Sequence, residues 1–373
     1  MKVLILSCNT GAGHNSCARA LQEAIMERGI PCDIRDGLSF LSKEASRLIS
    51  KWHVRLYRKL PRLYGEGYSL AERKSRSMDE DSMSYRFFSM GANPLRSCII
   101  SQGYTHVICT HLFPAMTLTH VQRNEPLDIA TAFVATDYTA SPGYDIIDAD
   151  WCFVPAPEVV SDFVKHDMPE GKIIGSGMPV SRVFRSAGDK AAAKRTLGIN
   201  ENHRHLLVMS GSMGCGPLKH ILRYTVREMS EDVEISVICG SNSKLSRRLS
   251  HAYSEYHNVH IHDFVDHVAL FMDSADLFMT KSGGLSVSEA MCKRLPMALI
   301  QAVEGCETYN MRYCLQKEIA VTTESPLALA RMCAELIHDD AALEKMRKAM
   351  EPLPGRHATD IICDRLFGSG VTA

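Results

Sequence analysis

Short apolar runs recur along the chain, each bounded by a turn and most followed by a stretch with helical spacing. In the first half they are VLILSC (Val3–Cys8), the short CDIRDG, HVICTH (His106–His111), ATAFVAT (Ala130–Thr136) and CFVPA (Cys152–Ala156). The stretch Ala18–Arg28 is amphipathic at helical period. A second series follows: HLLVMSG (His205–Gly211), ISVICG (Ile235–Gly240), HIHDFV, LFMTKSGG and PMALIQ (Pro296–Gln301). Ala328–Ile337, Ala342–Met350 and Ala358–Leu366 read as helices. Strand-like runs alternating with helices predict an α/β protein built from parallel βαβ units. GSGMPV (Gly175–Val180), punctuated by Gly and Pro, reads as the crossing between two domains. A length of 373 residues fits two cores better than one.

Each half opens with a strand and a glycine-rich turn. The first turn, Asn9–Ser16 (NTGAGHNS), has Gly11-x-Gly13 but Ser16 where a dinucleotide fingerprint has its third glycine. Asp33 and Asp36 stand where such a site would need a ribose acid. His14, at the start of the helix, reads two ways. It caps the helix, or the positive helix end keeps it neutral and able to take a proton from a hydroxyl. The second turn, Ser210–Pro217 (SGSMGCGP), holds three glycines and a proline suited to a first helical position, which leaves N–H groups for phosphate oxygens. A third, in DLFMTKSGGLSVSEAM (Asp276–Met291), joins a strand to a helix expected to open near Ser286. Glu289 is expected about one turn into that helix, placed to accept from a diol beside the anion. Phosphate next to a diol points to a nucleotide sugar.

Bulk properties narrow the rest. Composition is that of a soluble globular protein, 45% hydrophobic and 23% charged, with a net charge of −1 that gives no global pull toward nucleic acid. Thirteen scattered cysteines, an odd number without a CxxC pair, point to reduced thiols in the cytoplasm and against a zinc site. MKVLILSC runs straight into a glycine turn and reads as a buried strand, not a signal peptide. His260 and His262 resemble metal ligands but have no clear third partner, the pair Asp148/Asp150 resembles them too but reads as a solvated turn, and no metal is expected. The segment 42–77 stands apart, with ten Lys and Arg against three Glu, among them Arg55, Arg58, Lys59 and Arg62 with Trp52 and other aromatics interleaved. It reads as a solvated helical face or, in preference, as a patch for anionic lipid head groups.

Five stretches, in order along nearly the whole chain, resemble a known family: ILSCNTGAGHNSCARAL, FVATDY, VPAPEV, IIGSGMPV and ADLFMTKSGGLSVSEAMCKRLPMALI. This is the monogalactosyldiacylglycerol synthase and processive diacylglycerol glucosyltransferase group of glycosyltransferase family 28, distantly related to the lipid II N-acetylglucosaminyltransferase. The resemblance implies a GT-B fold, two Rossmann-like domains facing across a cleft. The implied division is an acceptor domain at 1–178, a UDP-sugar domain at 179–350 and a helix in 351–373 that crosses back. The implied reaction is an inverting, metal-independent transfer of a hexose from a UDP-sugar to a lipid hydroxyl, on the inner face of the cell membrane. Alternatives are transfer of N-acetylglucosamine to a polyprenyl-linked acceptor, a UDP-sugar epimerase, and a non-catalytic binder.

Carried over by the same resemblance, His14 is the general base and Asp137 its companion in the acceptor loop. Gly211, Ser212 and Gly214 approach the donor diphosphate, as do Ser282, Gly283 and Gly284. Phe264 and Val265 meet uracil, and Glu289 holds the ribose. Cys306 and Glu307 face the donor sugar, with Cys306 where relatives carry glutamine. Gly11, Gly13 and Tyr144 lie on the acceptor side, Tyr144 in a loop where relatives carry histidine and tryptophan. Ser282 replaces a frequent proline, and Asp263 stands where glycine is usual.

Overall fold

The computed structural model describes residues 1–9, 11–44, 46–49, 51–52, 65–66, 68, 82–211, 218–300 and 305–368. The chain divides into two compact units. One comprises Met1–Arg182, Val303–Tyr309 and Pro354–Ala373, the other Val183–Ala302 and Asn310–Leu353.

In the first unit the strands are β1 (Val3–Ser7), β2 (Cys32–Asp36), β3 (His106–Cys109), β4 (Ala130–Val134), β5 (Trp151–Val154) and β6 (Ile173–Gly175). Among the described residues they form one parallel sheet in the order β2-β1-β3-β4-β5-β6. The central strands β1, β3, β4 and β5 are largely apolar because helices cover both faces, whereas the edge strand β2 (CDIRD) carries two Asp and an Arg. Alternation then sorts the side chains: Leu4, Leu6, Val107, Cys109 and Phe133 enter one core, and Val3, Ile5, Ile108, Ala132 and Val134 the other. The helix Ala358–Phe367 closes this second core with Ile362, Cys363 and Phe367. Arg28 reaches Asp364 at 2.7 Å, and the Arg365 guanidinium lies 3.6 Å over the Trp151 ring.

The second unit repeats the plan. Its strands are β7 (Arg204–Met209), β8 (Val233–Ile238), β9 (Val259–His262), β10 (Leu277–Lys281), β11 (Met297–Ile300) and β12 (Ala320–Thr322). Their order is β12-β11-β10-β7-β8-β9, again all parallel.

In both sheets the order reverses beside the first strand, between β1 and β3 and between β7 and β10. A parallel sheet opens a crevice outside the carboxyl ends of its strands at such a point. Two expected helix starts shift. The first helix runs Ala12–Glu27 and takes in most of the glycine turn, with extended Gly11 as its N-cap. The helix expected to open near Ser286 runs Gly284–Cys292, so Glu289 lies about a turn and a half in.

Candidate functional site

The turn after β1 is held by a chain of side-chain hydrogen bonds. Asn9 Nδ2 donates to Asp36 (3.0 Å), Asn15 Nδ2 to Asn9 (2.8 Å) and Ser7 Oγ to Asn15 (2.6 Å). Asp36 also accepts from the Leu38 amide, and Asp33 accepts from the Tyr104 hydroxyl at 2.7 Å. Both carboxylates of the dinucleotide reading thus have structural work.

His14, half-buried in the first turn of Ala12–Glu27, projects at the reversal point of the sheet. Its Nδ1 lies 2.8 Å from the carbonyl oxygen of Thr110, which follows β3, and 3.0 Å from the Thr136 hydroxyl, which follows β4. A carbonyl oxygen only accepts, so Nδ1 carries the proton and the lone pair of the neutral ring is on Nε2. The helix brings no acid in its first turn and no side-chain cap. His14 is therefore not the helix cap, and its tautomer is that of a base oriented from behind.

Asp137, next to Thr136, is partly exposed. It lies near Tyr144, whose phenol is pushed far up by burial, then by Asp137 and Cys306. Tyr68 joins this cluster. Its hydroxyl donates to Ser141 at 3.4 Å, and its ring lies 3.3 Å from where a Cβ on Gly305 would sit. Burial raises the Tyr68 phenol first, with Cys306 the next cause. Cys306 and Glu307, expected beside the donor sugar, fall by their contacts in the first unit.

In the second unit Gly211 follows β7 and Lys281 ends β10, and parallel pairing of these strands joins the two turns. Gly211 has φ +75°, and a Cβ there would come 2.8 Å from Lys281 Cε. The positive φ favours glycine at this position, while the Lys281 side chain can shift away from a Cβ. Ser282 is buried, its carbonyl accepting from Asn310 Nδ2 at 3.0 Å. Gly283 is the N-cap of Gly284–Cys292, without a side-chain cap and with no acid in the first turn. Such a helix start presents unpaired N–H groups. Glu289 retains some exposure, yet burial lifts its carboxyl to about 8. Phe264 is 61% exposed just past β9, and Val265 is partly exposed beside it. Ser212, Gly214, Arg55, Arg58, Lys59 and Arg62 lie outside the described residues. Trp52 is 60% exposed.

Three of the four residues that resembled metal ligands have partners within the fold, while the buried His262 Nε2 has no hydrogen-bond partner among the described residues. His260 Nε2 lies 2.7 Å from Glu234, Asp150 accepts from Thr131 at 2.7 and 2.8 Å, and Asp148 pairs with Lys172. Among the described residues no group of three or more His, Cys, Asp or Glu is placed to hold a metal ion.

Two family models fit consecutive parts of the chain. That for monogalactosyldiacylglycerol (MGDG) synthase matches residues 14–180, and that for the glycosyltransferase family 28 C-terminal domain matches 205–351. The chain belongs to the monogalactosyldiacylglycerol synthase group of glycosyltransferase family 28. A curated relative of this family 28 chain is the processive diacylglycerol beta-glucosyltransferase of Staphylococcus carnosus (strain TM300). It is 27% identical over 98% of this chain and 92% of its own length. Among solved structures, MurG of Acinetobacter baumannii aligns with TM-score 0.62 at 12% identity, covering 98% of this chain and 99% of its own. The UDP-GlcNAc 2-epimerase of Neisseria meningitidis, bound to UDP-GlcNAc, aligns with TM-score 0.63 at 13% identity, covering 98% and 99%. The fold is the GT-B pairing of two Rossmann-like domains.

Several site neighbours of this glycosyltransferase are not legible in its sequence. Thr110, His111 and Thr136 end apolar runs, but only the sheet order puts β3 and β4 on the His14 side. Lys281 stands out in the sequence as a cation before Gly283-Gly284, whereas its meeting with Gly211 does not. The helix Met83–Ser89 leaves Met83 88%, Phe87 39% and the adjoining Met90 63% exposed. Their spacing puts them on one helix face.

Proposed function

We propose that this family 28 glycosyltransferase moves a hexose from a UDP-sugar to the hydroxyl of diacylglycerol with inversion, at the cytoplasmic face of the cell membrane and without a metal. The observation that carries the reading is His14, whose Nδ1 proton is committed to the Thr110 carbonyl, which makes Nε2 the basic nitrogen. An epimerase needs no base for an acceptor hydroxyl. The S. carnosus relative, a processive diacylglycerol beta-glucosyltransferase by name, supports the lipid acceptor. The UDP-GlcNAc bound in the Neisseria neighbour supports a nucleotide-sugar donor.

The roles follow from chemistry. The acceptor hydroxyl gives its proton to His14 Nε2 as its oxygen bonds the anomeric carbon. The bond from that carbon to the diphosphate breaks, and UDP leaves with the electron pair. Amides at Gly283 and Gly284, the turn Gly211–Gly214 and the Lys281 ammonium take up the charge on the leaving diphosphate. Glu289 holds the ribose, and Phe264 and Val265 meet uracil. Gly11, Gly13, Asp137 and Tyr144 receive the acceptor headgroup. Cys306 and Glu307 read the sugar.

Among the described residues no helix is long and apolar enough to cross a membrane. The lipid is then reached from the surface, through the basic segment 42–77 with exposed Trp52 and Leu48, and through Met83, Phe87 and Met90 around Arg86. UDP release from a panel of UDP-sugars, with and without diacylglycerol vesicles, tests the proposal. Lipid-dependent release, with a β-linked product by NMR, is expected. Release that ignores lipid for every sugar would sink it.

A further inference from the structure

We propose that His111 is a positioning residue for this reaction, packing edge-to-face on His14 so that the ring of the base is held in place. The inference rests on the transferase reading above.

His111 is 9% exposed and stands between β3 and the helix Leu112–Asn124. Its Nδ1 accepts from the Phe113 amide at 3.1 Å, which caps that helix and puts the ring proton on Nε2. Capping alone does not call for an imidazole, since Asn, Asp or Ser caps as well. The ring has a further use. One side meets His14, with centroids 4.5 Å apart and planes at 69°. Another meets the Phe113 ring at 4.6 Å, and Phe113 stacks on buried Phe88 at 4.0 Å. A row of rings therefore runs from the core of the first unit to the base. Thr110 and Thr136 fix one nitrogen of His14, and His111 limits the tilt of its plane. The Nδ1 lone pair of His111 is given to the Phe113 amide, so it is the ring, not that nitrogen, that His111 offers to His14.

Two variants separate the ring from the cap. His111→Asn keeps an acceptor for the Phe113 amide and removes the ring. His111→Phe keeps a ring and removes the acceptor. We expect H111N to melt near wild type yet lose about 10- to 100-fold in kcat, the scale of a misplaced catalytic group, with KM for the UDP-sugar unchanged. H111F should melt lower and retain more of kcat than H111N. In ¹⁵N imidazole spectra, neutral His14 should show the Nδ1–H tautomer in wild type and a mixture in H111N. Wild-type kcat in H111N, with H111F the poorer enzyme, would make His111 a helix cap only. If wild type has no lipid-dependent turnover, the transferase reading fails by itself. The spectra then decide on His111, and unchanged His14 shifts in H111N would overturn its role.

Discussion

The turn after β1 and the paired turns after β7 and β10 occupy the same place in their sheets, where strand order reverses, and they offer different chemistry. The turns after β1 and β10 lead into helices capped by glycine, without a side-chain cap and without an acid in the first turn. Each is thus an electropositive opening of bare N–H groups. In the first unit that opening is occupied by His14, whose Nδ1 is tied to Thr110 and Thr136. In the second the first helical turn starts Gly284-Leu285-Ser286, with Lys281 before it and Glu289 further along the helix. The fold supplies the same device twice. On the function proposed above, the residue in the first helical turn decides whether it moves a proton or holds an anion.

If that division is right, damage on one side should leave the other intact. The largest effect is expected from His14→Ala, which removes the base. A fall in kcat of about 10²- to 10⁴-fold, with UDP affinity by calorimetry unchanged, is expected. Turnover near wild type would end the assignment. The mirror experiment is Lys281→Met. Loss of a charge-assisted contact to phosphate should weaken UDP binding by about 10- to 100-fold, the equivalent of ~1.5–3 kcal/mol. His14 should keep its wild-type ¹⁵N signature in that variant. Unchanged UDP affinity would remove Lys281 from the donor site.

Next in size is a pH effect that only the second side should show. Burial raises the Glu289 carboxyl to about 8 in the ligand-free protein, so at neutral pH most of these groups are protonated. A ribose diol donates best to the carboxylate, so binding favours the deprotonated form and releases a proton. UDP affinity should therefore rise with pH, by about tenfold from pH 7 to above 9, and Glu289→Gln should flatten the curve. The same shift works against folding. Stability from this group is full below its unfolded value near 4.5 and is lost as pH rises through 8. Calorimetry in buffers of different ionisation enthalpy reads the proton directly. No proton release at neutral pH would mean that Glu289 does not meet the diol.

Much of this is legible in the sequence, and the missing part has a common cause. The apolar runs mark every strand that carries a site residue, because strands buried on both faces are continuously apolar. The glycine turns stand out as more glycine than a turn needs. Helix starts are placed late at Gly11 and Gly283, since glycines inside a first turn read as loop. What stays hidden is lateral. That Thr110, His111 and Thr136 surround His14 depends on β3 and β4 lying beside β1, and strand order is not written in any one segment. Cys306 shows the converse. Resemblance ties its segment to the donor half, whereas Val303–Tyr309 belongs to the first unit, where Cys306 acts electrostatically on the Tyr68 and Tyr144 phenols.

The smallest effect separates glycines the fold needs from one the ligand needs. Gly211, at φ +75° with Lys281 Cε 2.8 Å from where a Cβ would sit, should lose about 1–3 kcal/mol of stability as alanine. Gly283 is different. As the N-cap its φ is −69°, and no described atom lies within 4 Å of a Cβ there. Alanine is a poorer N-cap than glycine but only slightly strained by that backbone, so Gly283→Ala should shift stability by well under ~1 kcal/mol. Any selection for glycine then comes from what approaches the helix start. If a diphosphate sits on those amides, the added methyl should weaken UDP binding several-fold while the melting temperature stays put. Equal UDP affinity in G283A and wild type would mean that the donor does not come within a methyl group of this turn, and the anion-holding half of the comparison would have to be sought after β7 alone.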